Sequence, residues 1–243
     1  MERDIIFQIS VFGDFTSIKP DDATIQSMIA KLSDHGLLPS VFQEGNFTFS
    51  TDPKLQKTET TNRLQMVSIE KKINVRFAGN RIDINKASTD LTIGVTNDDL
   101  AVLLDILSKA TVGLSFTRIG FNTTSLLDSP SAQLHQKIQP GIDFFNNSDE
   151  LTLRVNKRKN ISFEVSPNDA SNETSNVILT IQKTMGQLLI NNQQISIGNG
   201  FIMQFDINTT PEKSEPRLFS VHTKAYIEAA EELRQSLLKE LIS

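Results

Sequence analysis

The stretch that decides the fold runs from residue 64 to residue 84 and reads LQMVSIEKKINVRFAGNRIDI. Apolar and polar residues alternate at positions 73–77 and again at 82–84, and this period of two is typical of strands with one buried face. The charged run 70–72, EKK, and the Gly79-Asn80 pair separate the apolar runs as turns. Because such connections are too short for a parallel crossover, the stretch predicts a hairpin followed by a third antiparallel strand.

The same alternation extends outward along the chain. It predicts strands at residues 5–15, 37–49, 112–127, 151–155, 161–165, 177–182, 188–190 and 201–207. Helices are predicted after Asp21, after Asn97, and from Ser220 to about Leu241, where apolar residues recur at helical spacing behind capping residues. Strands in runs with helices near their ends indicate an α+β protein with mainly antiparallel sheets.

Residues 129–147 differ in character from the segments on either side. Pro130, Pro140-Gly141 and Asn146-Asn147 punctuate them, and such stretches are typical of boundaries between compact units. The sequence therefore predicts an N-terminal α+β half at 1–128, a connecting segment at 129–147, and a β-rich half with a long terminal helix at 148–243. Each half is expected to form its own strand-rich layer packed by a helix, although the two halves show no visible sequence identity.

Composition excludes several chemistries. The 243 residues carry a formal net charge of -5, contain no Cys, and have three His in no metal-ligand spacing. Disulfides, thiolate nucleophiles and Cys-based metal sites are therefore excluded. No basic segment followed by an apolar core opens the chain, and no window is apolar enough to span a membrane, so we expect a cytoplasmic protein with no membrane association and no metal or organic cofactor.

Two groups of charged residues are candidate binding sites. Arg154, Lys157, Arg158 and Lys159 place four positive charges within six residues, at what the pattern predicts to be an exposed hairpin tip around 156–160. No aromatic residue is interleaved among them for base stacking, and the chain is acidic, so a nucleic-acid partner is not favoured.

The second group interrupts two apolar strands. Arg118 lies in TRIGFN at 117–122, and Asp206 lies in MQFDI at 203–207. Charged residues in such strands usually point to solvent on the polar face, and the alternatives are a cross-sheet ion pair or a ligand-anchoring role.

The closing helix carries a stripe of Ala225, Ala229, Leu233, Leu237 and Leu241. The neighbouring apolar residues widen this stripe beyond a coiled-coil seam, so it predicts that Leu233 and Leu237 pack on a sheet of the same chain. Glu231, Glu232, Arg234 and Gln235 are expected to face water. The alternative is a homodimer formed through this helix.

Three segments carry a resemblance to a known family. They are RLQMVS at 63–68 running on to NRIDIN at 80–85, TRIGFN at 117–122, and MQFDI at 203–207 with the closing helix. This pattern resembles a sporadically distributed prokaryotic family of proteins of similar length and unknown function. The resemblance implies an accessory role, for example in a toxin–antitoxin or phage-defence locus. It carries over no catalytic residue, and leaves Arg118 and Asp206 as positions of interest.

Together these observations predict a non-enzymatic binding protein. Its partner is another protein or a second copy of the same chain. One alternative is a metal-dependent nuclease or other phosphate-handling enzyme, because Glu70-Lys71-Lys72 has the Glu-x-Lys form of such sites, although a turn is the simpler interpretation. The other alternative is a small-ligand binder with an apolar pocket between a curved sheet and the long helix.

Overall fold

The computed structural model describes residues 2–48, 57–90, 93–128, 134, 137–138, 151–190, 193–212, 215–216 and 218–242. Nine strands are formed within these ranges: β1 (Glu2–Phe12), β2 (Leu38–Thr48), β3 (Lys57–Ser68), β4 (Ile73–Phe77), β5 (Arg81–Ala87), β6 (Arg118–Asp128), β7 (Thr152–Ser166), β8 (Asp169–Ile190) and β9 (Gln193–Thr209). The helices are α1 (Asp22–Leu32), α2 (Asn97–Ala110) and α3 (Ser220–Ile242), and a single 3-10 turn follows α1 at Ser33–His35.

All nine strands belong to one antiparallel sheet with the order β2-β3-β4-β5-β1-β6-β9-β8-β7. The α+β class is therefore confirmed, but the expectation of two strand-rich halves with separate sheets is wrong. The predicted halves 1–128 and 148–243 join edge to edge where β6 pairs with β9, from Gly120 opposite Asn208 to Asp128 opposite Gly200. This pairing leaves neither half with a free inner edge.

The strand order contains the same arrangement twice. β1 lies beside β5, the last strand of the meander β2–β5, and β6 lies beside β9, the last strand of the meander β7–β9. The first meander has four strands and the second has three. The predicted connecting segment at 129–147 lies outside the described residues, except for Leu134, Lys137 and Ile138.

The decisive stretch folds as its pattern predicts. β3, β4 and β5 form consecutive antiparallel pairs, and the EKK run lies in the turn between β3 and β4. Ile73, Val75 and Phe77 are buried on one face together with Ile82 and Ile84. Ile69, by contrast, lies in the turn and is 79% exposed, because strand β3 ends one residue earlier.

The helices pack on one face of the sheet, which we call the helix face. Met28 and Leu32 of α1, Leu103 and Leu107 of α2, and Ile227 of α3 join a single cluster with the inward residues of the central strands. Caps fix where the first two helices begin. Asp21 accepts the backbone N–H of Thr24 at 2.8 Å, and Thr96 and Asp99 form a reciprocal capping box at the start of α2.

The buried side of α3 differs from the predicted one. Its buried residues are Thr223, Tyr226, Ile227, Ala230, Glu231, Arg234 and Leu238, whereas the alanine and leucine stripe is only partly buried. Glu231 and Arg234 are therefore not in water as expected: Arg234 is fully buried and bonds to Asp4 and Glu231. The helix is rotated so that this ion pair, rather than the leucines, lies against the centre of the sheet.

Candidate functional site

The face of the sheet opposite the helices, which we call the open face, is covered by none of the three described helices. Nine strands at a spacing of about 4.8 Å make it about 38 Å wide. Because side chains alternate along each strand, the residues of this face lie between the buried core positions. The open face is thus broad and mainly polar, and it also carries apolar side chains such as Leu38, Val67 and Ile178.

A row of four carboxamides and one carboxylate, which we call the amide row, crosses the middle of the open face. Asn74, Asn85, Gln8, Asn122 and Asp206 lie opposite one another on five neighbouring strands: β4, β5, β1, β6 and β9. All five are partly exposed. Carboxamides both donate and accept hydrogen bonds, so the row presents both kinds of group to any partner lying across the strands.

The adjacent row is polar as well, and hydrogen bonds order its centre. Ser10 donates to the Asp83 carboxylate at 2.6 Å, and Arg81 bonds to the same carboxylate at 2.7 Å. Asp83 is 6% exposed, so its charge is largely neutralised within the face. The positions around it are therefore held in fixed geometry by their neighbours.

Arginine supplies the positive charge of the open face. By strand register, seven arginines lie on it: Arg3, Arg63, Arg76, Arg81, Arg118, Arg154 and Arg158. Among the described side chains of β1–β6 and β9, the carboxylates on this face are Glu44, Asp83 and Asp206, and Glu212 lies beside Arg158. Arginines thus outnumber carboxylates among the described side chains of the open face, although the chain as a whole has a formal net charge of -5.

These arginines differ in what they contact. Arg63 is buried and bonds to Glu44 at 2.7 Å, and Arg158 bonds to Glu212 at 2.7 Å. Arg76 lies over the Phe42 ring, 5.6 Å from its centroid, and makes no ion pair within the described structure. Arg154 is exposed and likewise has no ion pair among the described residues. Arg76 and Arg154 are therefore the two cations best placed to meet an acidic partner.

Arg118 and Asp206 lie on the open face, on strands β6 and β9, and are linked through Asn208. Arg118 packs over the Phe12 ring at 4.7 Å and donates to Asn208 Oδ1 at 3.1 Å. The Asn208 amide in turn donates to Asp206 at 2.9 Å. The arrangement is a chain of charge, amide and charge, and it fixes both side chains at the centre of the face.

The basic run at 154–159 is not a hairpin tip, which corrects the prediction. β7 continues without interruption from Thr152 to Ser166, and the turn to β8 follows at Asn168, where φ is 74°. Alternation along β7 therefore divides the four cations. Arg154 and Arg158 lie on the open face, and Lys157 and Lys159 lie on the helix face.

A separate cluster of ionisable groups joins α2 to the 3-10 turn. His35 Nε2 lies 2.7 Å from Asp105, and the Lys109 ammonium lies 2.6 Å from Asp34 and 2.8 Å from Asp105. Hydrogen bonds from Lys109 hold the pKa of both carboxyls below their usual range, and raise the pKa of Lys109 itself. The three acidic and histidine ligands are close enough together for a metal ion. The ammonium already occupies their centre, so the cluster is an ion-pair network.

Glu70 and Lys72, the residues of the nuclease alternative, lie in the turn between β3 and β4. Within the described residues, Glu70 joins no group of three potential metal ligands. The turn therefore gives no support to a metal role for the Glu-x-Lys triplet.

The chain matches no protein-family model, and no curated protein is similar to it in sequence. Within the described part of the chain, no helix combines the length and apolarity that a membrane crossing requires.

Proposed function

We propose that this chain is a non-enzymatic binding protein and that its partner is an acidic protein surface that docks on the open face. The observation that carries the proposal is the excess of arginine over carboxylate on a broad face that no described helix covers. Arginine suits interfaces because its guanidinium is weakly hydrated and binds carboxylates in two-pronged geometry. The amide row supplies neutral hydrogen bonds between these charges.

A protein fits the open face better than a nucleic acid does. Among the described residues, the partly exposed aromatic rings of this face are Phe12 and Phe42, and an arginine already packs on each of them, which leaves less ring surface for base stacking. Asp206 would also lie against the phosphate backbone. A symmetric dimer through this face would bring like charges together, because a two-fold interface places the same patch on both subunits. The favoured partner is therefore a different, acidic protein.

The resemblance to the prokaryotic family supports a place for this interaction in a toxin–antitoxin or phage-defence locus. That part of the proposal rests on the resemblance alone. A partner encoded beside this gene would then be the first acidic protein to test.

The test is charge reversal at Arg76 and Arg154, which are exposed and make no ion pair within the described structure. Tagged wild-type protein, Arg76→Glu/Arg154→Glu, and the control Lys224→Glu/Lys239→Glu would be captured from the native host. The control residues are exposed lysines of α3, on the opposite side of the molecule. Captured proteins would be identified by mass spectrometry, then purified and titrated against each variant at two salt concentrations.

We expect an acidic protein that binds the wild type and the control directly, binds more weakly at high salt, and is lost with the arginine variant. Equal binding of that protein to both variants would overturn the open face as the docking surface. A nuclease-sensitive complex lost in the arginine variant would replace the protein partner with a nucleic acid.

A further inference from the structure

An apolar groove lies on the helix face, between the C-terminal half of α3 and strands β7 and β8. Its volume is about 630 Å³, within the range of pockets that hold small ligands. Leu233, Leu237 and Leu241 form one wall, and Val155 and Leu179 form the opposite wall. The groove lies on the helix side of the sheet and extends to the edge strand β7, where Asn156 also lines it.

The leucine wall is an apolar strip only partly covered by this chain. Leu233, Leu237 and Leu241 recur every fourth residue on one side of α3, so the strip is about 12 Å long at 1.5 Å per residue. All three are half-buried, while Arg234 on the adjoining side of the helix is fully buried. An extended apolar molecule lying along the strip would remove these leucines from water.

Lysines stand beside this strip. Lys157 and Lys159 lie on the helix face of β7, two residues apart, and both line the groove. Both are exposed, and neither makes an ion pair within the described structure. Lys137 also lines the groove and donates to the carbonyl of Glu240 at 2.6 Å, at the end of α3. The carboxylate among the described lining residues is Glu240, so the lining is positive.

A second depression lies beside the groove, also between β7 and α3, and its charge is negative instead of positive. Glu164, Glu228 and Glu232 line it with Ala225 and Ala229, between β7 and the N-terminal half of α3. Its charge would repel an anion, and its alanines offer little apolar surface. The charges and apolar residues between β7 and α3 thus favour an anionic group beside the lysines and an apolar chain along the leucines.

We propose that the groove binds a single-chain amphipathic anion, of the class of long-chain fatty carboxylates. The acyl chain lies between the leucine wall and Val155 and Leu179. The carboxylate is held by Lys157 and Lys159 through charge-assisted hydrogen bonds. Shape, apolar walls and charge all select this class over a neutral lipid or an apolar compound without a head group.

Titration calorimetry with dodecanoate, below its micelle concentration, tests the assignment on delipidated full-length protein. The head-group variant is Lys157→Gln/Lys159→Gln. Its matched control is Arg154→Gln/Arg158→Gln, on the same strand but on the open face. A chain variant, Leu237→Gln, places a polar group in the leucine wall. Melting temperatures of all variants establish that each is folded, and dodecanol serves as the ligand with the same chain and no charge.

We expect dodecanoate to bind the wild type and the control equally, and the head-group variant about tenfold more weakly, which corresponds to about 1.4 kcal/mol. Dodecanol should bind the wild type as weakly as dodecanoate binds the head-group variant, and Leu237→Gln should weaken both ligands. The assignment is overturned if dodecanoate does not bind, if the control loses as much affinity as the head-group variant, or if dodecanol binds as tightly as dodecanoate.

Discussion

Arg234 in the last helix and Asp4 in the first strand form a two-pronged ion pair across 230 residues of sequence, with Nη1 and Nη2 each donating to one carboxylate oxygen at 2.8 Å. Glu231 accepts from the same guanidinium at 2.6 and 2.7 Å, and the Phe7 ring lies 5.7 Å from its centre. Burial works against the charged guanidinium, but Glu231 and Asp4 outweigh it and raise the pKa of Arg234. The pair ties α3 to the strand at the centre of the sheet.

The first prediction concerns this buried ion pair. Arg234→Met should lower the free energy of unfolding by about 3–5 kcal/mol, because it leaves the Asp4 and Glu231 carboxylates without a cation. Adding Asp4→Asn and Glu231→Gln to Arg234→Met should recover part of this loss, since the uncompensated charges are then gone. Urea denaturation measures all three proteins.

Arg154→Met is the surface control, and it should change the free energy of unfolding by less than about 0.5 kcal/mol. A loss in Arg234→Met no larger than in this control would show that the ion pair does not stabilise the fold.

Helical periodicity could not find this pair. It assigns Arg234 to water because it counts every charge as solvent-facing, and nothing near Arg234 in sequence identifies Asp4 as its partner. The periodicity does identify the leucine stripe, but the stripe lies at the side of the contact with the sheet. The orientation of α3 depends on a long-range polar contact, which a local pattern does not contain.

The second prediction compares two leucines of α3. Leu238 is 1% exposed, and Leu238→Ala should cost about 2–5 kcal/mol of unfolding free energy, the range for a buried leucine. Leu233 is half-buried on the groove, so Leu233→Ala should cost less than about 2 kcal/mol, since fewer contacts are lost and no closed cavity forms. Urea denaturation of both variants decides the order.

Equal costs would mean that the groove side of α3 is as tightly packed as the sheet side. Native mass spectrometry of Leu233→Ala adds a second readout. A dimer of the wild type that is lost in this variant would make the stripe a self-association surface.

For the candidate site, the sequence predicts which residues lie on the open face of neighbouring strands but not how distant strands pair. Alternation in residues 73–85 correctly separates the polar face of β4 and β5 from the buried one. The amide row from Asn74 to Asp206 also needs the registers of β1 with β5 and with β6, and these strands are far apart in sequence. The sequence identifies each polar residue of the row but does not identify its neighbours across the sheet.

The prediction of a hairpin tip at the basic run 154–159 was wrong for a different reason. β7 is an edge strand, and its residues 154–160 are exposed on both faces, so no apolar alternation marks them as strand. Polar residues between two apolar runs then resemble a turn. The true turn, Pro167-Asn168, carries its own signature but follows the second apolar run.

The third prediction concerns the single tyrosine. Tyr226 is fully buried, packs edge-on against Phe163, and bonds through its hydroxyl to Ser175 Oγ at 2.9 Å. Tyr226→Phe should lower the unfolding free energy by about 1–3 kcal/mol, because Ser175 then loses a buried partner. Tyr226→Phe/Ser175→Ala should be closer to the wild type than the sum of the single variants. Strict additivity in thermal and urea unfolding would indicate that the hydroxyl contact contributes nothing.

The last prediction concerns the ion-pair network of Asp34, Asp105 and Lys109, which links α2 to the turn after α1. The lowered pKa of each carboxyl means that its contribution to stability is present above the unfolded value of 3.8 and is lost as the pH falls through the folded value. The raised pKa of Lys109 has the opposite sign: its contribution is present below the unfolded value of 10.5 and is lost as the pH rises through the folded value. Lys109→Met should therefore lower the melting temperature at neutral pH by a few degrees.

That difference between the wild type and Lys109→Met should shrink below the ordinary carboxyl pKa and again in strong base. High salt should shrink it at neutral pH as well, because the network is exposed and screened. Lys224→Met, an exposed lysine of α3, should show no such profile. Melting curves across the pH range at two salt concentrations measure this. A difference that stays constant with pH and salt would assign the effect of Lys109 to packing of its aliphatic stem, since packing does not titrate and is not screened.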